Sequence, residues 1–350
     1  MKFDVFSLGE IAKIRYGKNQ KNVQSDNGDI PIYGTGGLMG YASRSLYNYP
    51  SVLIGRKGTI NKVRYVDHPF WTVDTLFYTE VNEELVIPKY LYYLMSLLDL
   101  DSYNEGTTIP SLRTETLNRL EFGIPDLDYQ EKVLSMLEPI DKKIKLNNEV
   151  NKNLEEQAQA IFKSWFVDFE PFNGNIPPDW KEYKLSEFLP VITGKKNANV
   201  SSISGLYPFF SCSQNLSWTD DYSFEGSAIL VAGNGDFNAK FYNGKFEAYQ
   251  RTYVLIPYNE KYTAWLYYAI KQNLKKITLA ARGSVIKFIT KGNLENFSFY
   301  APRDLDNFYI IDNFDATNNI IASNREENIR LSMLRDTLLP KLMTGELDVS

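Results

Sequence analysis

The sequence predicts a mixed α/β (α+β) chain of two tandem modules, each followed by a long helix, the two helices forming an antiparallel coiled coil with pseudo-twofold symmetry. Three observations predict it. "FSLGEIAKIRYG" (Phe6 to Gly17) returns as "YKLSEFLPVITG" (Tyr183 to Gly194), and a shift of 177 residues also lays Gly58 on Gly235, Gly106 on Gly283 and Pro125 on Pro302. Within each copy, short β-branched and aromatic runs precede a helical stretch. Beyond each copy the apolar residues recur in alternating steps of three and four, the period of a coiled-coil seam.

In the first module "SVLIGR", "NKVRYV" and "TLFYTEV" read as strands, and Pro88 opens a helix. Their counterparts are "AILVA" and "RTYVLI", then a helix near Tyr262 to Leu274. Each module closes on a strand, "RLEFGIP" or "NFSFYAP", with a proline at the exit. The short glycine motifs "GTGG" (Gly34 to Gly37) and "GNGD" (Gly233 to Asp236) match neither dinucleotide nor P-loop fingerprints and are read as tight turns.

The first seam runs through Leu137, Ile140, Ile144, Asn147, Asn151, Leu154, Ala158, Ile161 and Trp165. The second runs through Phe314, Thr317, Ile321, Asn324, Asn328, Leu331, Arg335, Leu338 and Leu342. Neither helix hides its stripe alone, and a pseudo-twofold pairing brings Asn147 near Asn328 and Asn151 near Asn324. Buried asparagines in such a seam fix register at a cost in stability. The expected segments are 1–125 and 171–302 for the modules, and 126–170 and 303–350 for the helices.

With 350 residues, 43% of them hydrophobic, the chain has enough material for two cores. A lone Cys212 and a lone His68 exclude a disulfide framework and a transition-metal cluster. No run is long and apolar enough for a signal core or a membrane span, so a cytoplasmic protein without membrane attachment is expected. The net charge of −5 is unevenly spread, with the two helical segments carrying −8 and the modules +3. Residues 11–64 hold nine basic side chains against Asp26 and Asp29, and residues 261–294 hold seven and no acid. Such local positive surfaces on an acidic protein fit a polyanionic partner.

The order module, long helix, module, long helix resembles the specificity subunit of Type I restriction-modification systems. The residues that carry the resemblance are "AIFKSWFVDFEPF" (Ala160 to Phe172), "IPPDW" (Ile176 to Trp180), "LRDTLLPKLMTGELDV" (Leu334 to Val349) and "IPIYGTGG" in the first module. The resemblance implies two target-recognition domains, each reading one half of a split double-stranded DNA sequence, and conserved spacer helices that bind two modification (methyltransferase) subunits. It allows two restriction subunits besides. It places S-adenosylmethionine, ATP and Mg on those partners and no cofactor in this chain. In the second head "SCSQ" stands where the first has "GTGG".

No "NPPY"-like motif for holding a flipped adenine appears. "PDWKEYK" mimics a nuclease motif, but Asp179 and Glu182 are too close in sequence to converge on a metal. Recognition remains, with a stand-alone DNA-modifying enzyme or nuclease, or a two-headed protein-interaction scaffold, as competing readings. Cations hold phosphates, and side chains with paired donors and acceptors read base edges. The candidates in the first head are Lys18, Lys21, Tyr33, Thr35, Arg56, Lys57 and, in the loop Gly106 to Arg113, Thr107, Ser111 and Arg113. In the second they are Lys195, Lys196, Ser213, Gln214, Asn215, Asn234, Lys240, Arg251, Arg282, Ser284 and Lys287. Tyr33, Trp71, Phe210 and Trp218 offer base stacking against core packing as the alternative. Trp165 and Phe166 are candidates either for modification-subunit contact or for packing on the neighbouring head.

About 40 helical residues at roughly 1.5 Å each make a spacer of at most about 60 Å, which bounds the half-site centres to within roughly 18 base pairs. One heptad added to both helices is expected to widen the non-specific gap by about three base pairs, from roughly 10 Å of added helix. Mapping of methylated sites checks this, and an unchanged gap refutes the ruler.

Overall fold

The structure, a computed structural model, describes residues 2–202, 205–279, 288–347 and 349. It divides into two compact units, each built from one head and one half of each long helix: Met1–Lys145 with Asn328–Ser350, and Leu146–Glu327.

In the first unit the head is closed by the antiparallel pair Asp4–Ser7 and Glu121–Ile124. A four-stranded sheet has the order Ala12–Tyr16, Leu76–Val81, Ser51–Gly55, Val63–Val66. A three-stranded sheet has the order Gly37–Ala42, Ile30–Gly34, Trp71–Thr72. Ser51–Gly55 is buried along its whole length, so its apolar run shows no alternation. The helix Pro88–Ser96 lies over this sheet and shares one core with Leu8, Val52, Ile54 and Phe77.

The second unit repeats the plan. Trp180–Lys184 pairs with Ser298–Pro302, and the register Lys181 to Ala301 is that of Asp4 to Ile124 shifted by 177 at both ends. Here, however, the strands form one six-stranded sheet, in the order Val191–Thr193, Thr252–Leu255, Phe224–Ala232, Ala239–Ala248, Tyr207–Phe210, Ser217–Thr219. The ten-residue strand Ala239–Ala248 spans what the first head splits into Val63–Val66 and Trp71–Thr72. Pro69 sits in that break and has no N–H to donate, whereas Lys245, at the equivalent place by sheet register, carries the strand on without a break.

The long helices cover Leu127–Phe166 and Tyr309–Met343. They are shorter than the expected segments 126–170 and 303–350. After Phe166 the chain enters the left-handed region at Phe169 and Asn173, which ends the first helix. Before Tyr309 the Asp304 carboxylate accepts from the backbone and side-chain amides of Asn307, holding a turn instead.

Within each unit the two half-helices run antiparallel. In the second, Asn324 Nδ2 donates to Asn151 Oδ1 at 2.8 Å and Asn147 Nδ2 donates to Glu327 at 2.7 Å, while Phe162 meets Phe314 at 6.1 Å between ring centroids. In the first, Arg335 binds Asp141 at 3.1 Å and the Tyr129 hydroxyl donates to the Leu342 carbonyl at 3.0 Å. One expected seam residue is displaced: Ile161 is 37% exposed, and the buried stripe passes from Ala158 to Phe162 and Phe166. The helix turns its larger aromatic face to the head, where Phe166 packs on Trp180 and Trp265. Trp165 packs edge-on against Phe172, Phe308 and Tyr309, so both aromatics serve head packing, and Phe166 offers no partner surface. Among the described residues no helix is long and apolar enough to cross a membrane.

Asp141 ties head to helix in the first unit. It accepts from the Tyr93 hydroxyl at 2.6 Å and pairs with Arg335 and with Lys89, whose ammonium lies over the rings of Tyr65, Tyr92 and Tyr93. Burial first, and then the Asp141 carboxylate, push the Tyr93 hydroxyl well above the usual tyrosine pKa. Asp141→Ala removes the acceptor of the Tyr93 hydroxyl and the carboxylate beside Lys89, and leaves Arg335 with Asp336 alone; it is expected to cost about 1–3 kcal/mol by denaturant unfolding. Asp128→Ala, which breaks only the exposed pair with Lys132, is expected to cost about 0.5 kcal/mol or less. Equal effects of the two would show that Asp141 does no more than a surface charge.

Candidate nucleic-acid interface

In the first head, loops from distant parts of the sequence meet at one end of the sheets. Gly17 N donates to the Leu76 carbonyl and Lys18 N to that of Thr72, so the segment after the second strand lies on the turn Val73–Thr75. A Cβ at Gly17 would stand 2.0 Å from the Val73 carbonyl oxygen, which is why glycine is needed at this crossing. Arg56 N donates to Thr75, Leu112 N to the Arg56 carbonyl and Gly58 N to Pro110, so the turn after Ser51–Gly55 binds the loop Asn104–Arg113. That loop is closed by Asn104, whose Oδ1 accepts from Gly106 N and Ser111 N at 2.8 and 2.9 Å. The hairpin Gly34–Gly37 joins the same surface, with Thr35 lining a depression alongside Gln20, Asp74 and Thr75.

The second head makes the same crossings 177 residues later. Ile289 N donates to the Gly233 carbonyl at 3.0 Å, as Leu112 N does to Arg56, and the Asn234–Phe288 bridge matches Lys57–Ser111. Gly194 stands in for Gly17, with a Cβ there 2.1 Å from the Ala248 carbonyl oxygen. The two heads thus hold equivalent backbone frames under different side chains.

The frame gathers Lys18, Thr35, Arg56, Lys57, Ser111 and Arg113 in the first head. It gathers Lys196, Ser213, Gln214, Asn234 and Arg251 in the second. Lys57, Thr107, Lys195, Ser213, Asn215 and Arg251 are exposed. Lys21 is exposed beside Asn19, whose Oδ1 accepts its backbone N–H. Several candidates are engaged within the chain. The Arg56 guanidinium lies over the Tyr16 ring at 5.1 Å and donates to the Asp74 carbonyl at 2.9 Å. Arg113 pairs with Glu105 at 3.1 Å, and Gln214 Nε2 donates to Asp236 at 3.1 Å. The Lys240 ammonium donates to the carbonyls of Ser211 and Ser213, and burial pulls its pKa below the usual lysine value. It braces the turn from inside.

The Tyr33 hydroxyl meets His68 Nε2 at 3.2 Å, and burial raises its pKa. Trp71 and Phe210 are core residues, with Trp71 Nε1 donating to the Lys18 carbonyl at 2.8 Å, so neither is a stacking platform. Arg282, Ser284 and Lys287 lie outside the described residues. Sequence reasoning missed Arg64, whose guanidinium lies beside Gly37 in the hairpin. Its signal was its place in the basic run 11–64. Gln20, Gln250 and Phe288 also face these surfaces, and nothing local in the sequence marks them.

The family described as the Type I restriction modification DNA specificity domain matches residues 1–156 and 177–331. The Type I restriction enzyme EcoDI specificity subunit of Escherichia coli is 40% identical over 181 residues, covering 50% of this chain and 40% of that protein. The MjaIX specificity subunit of Methanocaldococcus jannaschii is 25% identical over 345 residues, covering 85% of this chain and 78% of that protein. The chain therefore spans less than half the length of the first of these relatives and most of the second. In fold it is similar to a Type-I restriction-modification system S subunit from M. genitalium, with a TM-score of 0.64 at 16% identity, covering 98% of this chain and 96% of that one. With the family match falling on both heads, the chain belongs to the Type I restriction modification DNA specificity family.

Proposed function

We propose that this chain is the sequence-reading specificity subunit of a DNA modification complex. Each head reads one half of a bipartite, gapped double-stranded target, and the chain itself performs no chemistry. The observation that carries this reading is the pair of equivalent loop frames, held by the same backbone hydrogen bonds and dressed with different side chains. Two similar frames with different surfaces suit two unlike half-sites. The names of the relatives point the same way. Two modification subunits, with restriction subunits joining them, supply adenine N6 methylation and cleavage, and bring S-adenosylmethionine, ATP and Mg.

Lys18, Lys21, Lys57, Lys195 and Lys196 hold phosphates in this reading. Thr35, Ser111, Gln214 and Asn215 stand nearest the bases, Gln214 exchanging its bond to Asp236 for a base edge. Each good bidentate contact discriminates by about 1–3 kcal/mol.

The test is N6-methyladenine mapping in cells carrying this chain with its modification subunit, against cells lacking it. A split motif is expected. Gln214→Ala with Asn215→Ala is expected to relax the second half-site alone. Lys18→Ala with Lys21→Ala is expected to weaken binding for all sequences and lower the salt slope by about one per lysine. A continuous motif, or a second-head substitution that changes both halves, refutes the assignment.

A further inference from the structure

The repeat places unlike contents in one equivalent space. In the first head that space is plugged, because the planar Arg56 guanidinium lies on the Tyr16 ring and is pinned by the Asp74 carbonyl. In the second head the positions of Tyr16 and Arg56 are held by Thr193 and Gly233, so this plug is absent among the described residues. What remains is a cavity of about 370 Å³, within the range of small-molecule sites. Its walls are Tyr253, Phe288 and Ile289, and its polar groups are Asn234, Gln250 and Arg251. Tyr253 is fixed by its hydroxyl, which donates to the Ile289 carbonyl at 3.0 Å, while Phe288 is 43% exposed. Gly233 cannot refill the space: a Cβ there would stand 2.4 Å from the Arg251 carbonyl oxygen and 3.1 Å from the Tyr253 ring.

We propose that this cavity receives one nucleobase of the second half-site, displaced from the duplex stack. The proposal rests on the DNA-reading role given above. Three features favour a nucleobase. A planar, hydrogen-bonding group already fills the equivalent space in the first head. Aromatic walls combined with amide and guanidinium groups match a base's π-face and edge. The cavity opens among Asn234, Arg251 and the other loops of the reading frame, where the duplex is expected. The asymmetry also gives the heads different means of reading, with one surface plugged and flush and the other recessed.

The experiment uses the complete complex on its mapped target. Each position of the second half-site is replaced in turn by a fluorescent base analogue, 2-aminopurine for purines and pyrrolocytosine for pyrimidines. One position outside the methylated adenines is expected to brighten on binding. Thr193→Tyr, which restores half of the first head's plug from an exposed position, is expected to abolish that signal. It should weaken binding about tenfold, as loss of one stacked base does, with the salt slope and first half-site recognition unchanged. Phe288→Ala is expected to dim the same position. Specific binding in which no signal depends on residue 193 or 288 overturns the cavity assignment alone. Absence of sequence-specific binding by the complex overturns the reading role and the cavity with it.

Discussion

Burial of the helices' apolar stripes in the heads is the constraint on which each unit depends. Tyr129, Val133, Leu137, Leu339 and Leu342 belong to the same core as Leu8, Phe77 and Tyr90 of the first head. Ala158, Phe162, Ile311 and Phe314 belong to the core of the second, with Trp265 at its centre. A single pair of long helices offers too little apolar area to be its own domain, so each half-pair borrows a head's core and lends it a wall. Polar ties complete the joint, and they differ in kind. Asp141 faces Arg335 and Tyr93 in one unit, while Asn318, 177 residues on, accepts from the Tyr268 hydroxyl at 3.0 Å in the other. A carboxylate at this half-buried place needs a cation, and Arg335 provides it; Ala158 stands at the corresponding place in the second unit, where a neutral amide suffices.

The duplication separates what must be kept from what can diverge. Backbone crossings recur at matching positions: Leu8 N to the Leu120 carbonyl and Leu185 N to that of Phe297, or the Glu10 carboxylate on Ser7 N and Glu187 on Lys184 N. These groups are obligatory donors and acceptors, so losing one is costly whatever the side chains nearby. Side chains on the loop surfaces carry no such obligation. Family membership and the two matched frames therefore sit easily with heads that share few surface residues.

Much of the plan was legible in the residues. The repeat, the two long helices, the Asn151–Asn324 pair and the closing strands all follow from periodicity and from glycine and proline punctuation, which act within a few residues of themselves. The fusion of the second head's strands into one six-stranded sheet was not read from the residues, because it depends on which strand edges meet across the fold. Less legible were the shift of the buried stripe from Ile161 to Phe162 and the inward use of Lys240. In both cases the deciding partner, the second head's core or the turn Ser211–Ser213, is brought near only by folding.

By itself the sequence determined a duplicated α/β chain with coiled-coil helices and basic heads, because hydrophobic period and backbone-restricting residues are properties of local stretches. Only the tertiary structure decided which loops share a surface, which cations are already occupied, and where a space stays open. Those outcomes depend on segments as far apart as Tyr16, Arg56 and Asp74, or Thr193, Gly233 and Phe288. Their meeting is set by sheet order and loop closure, which no periodicity encodes.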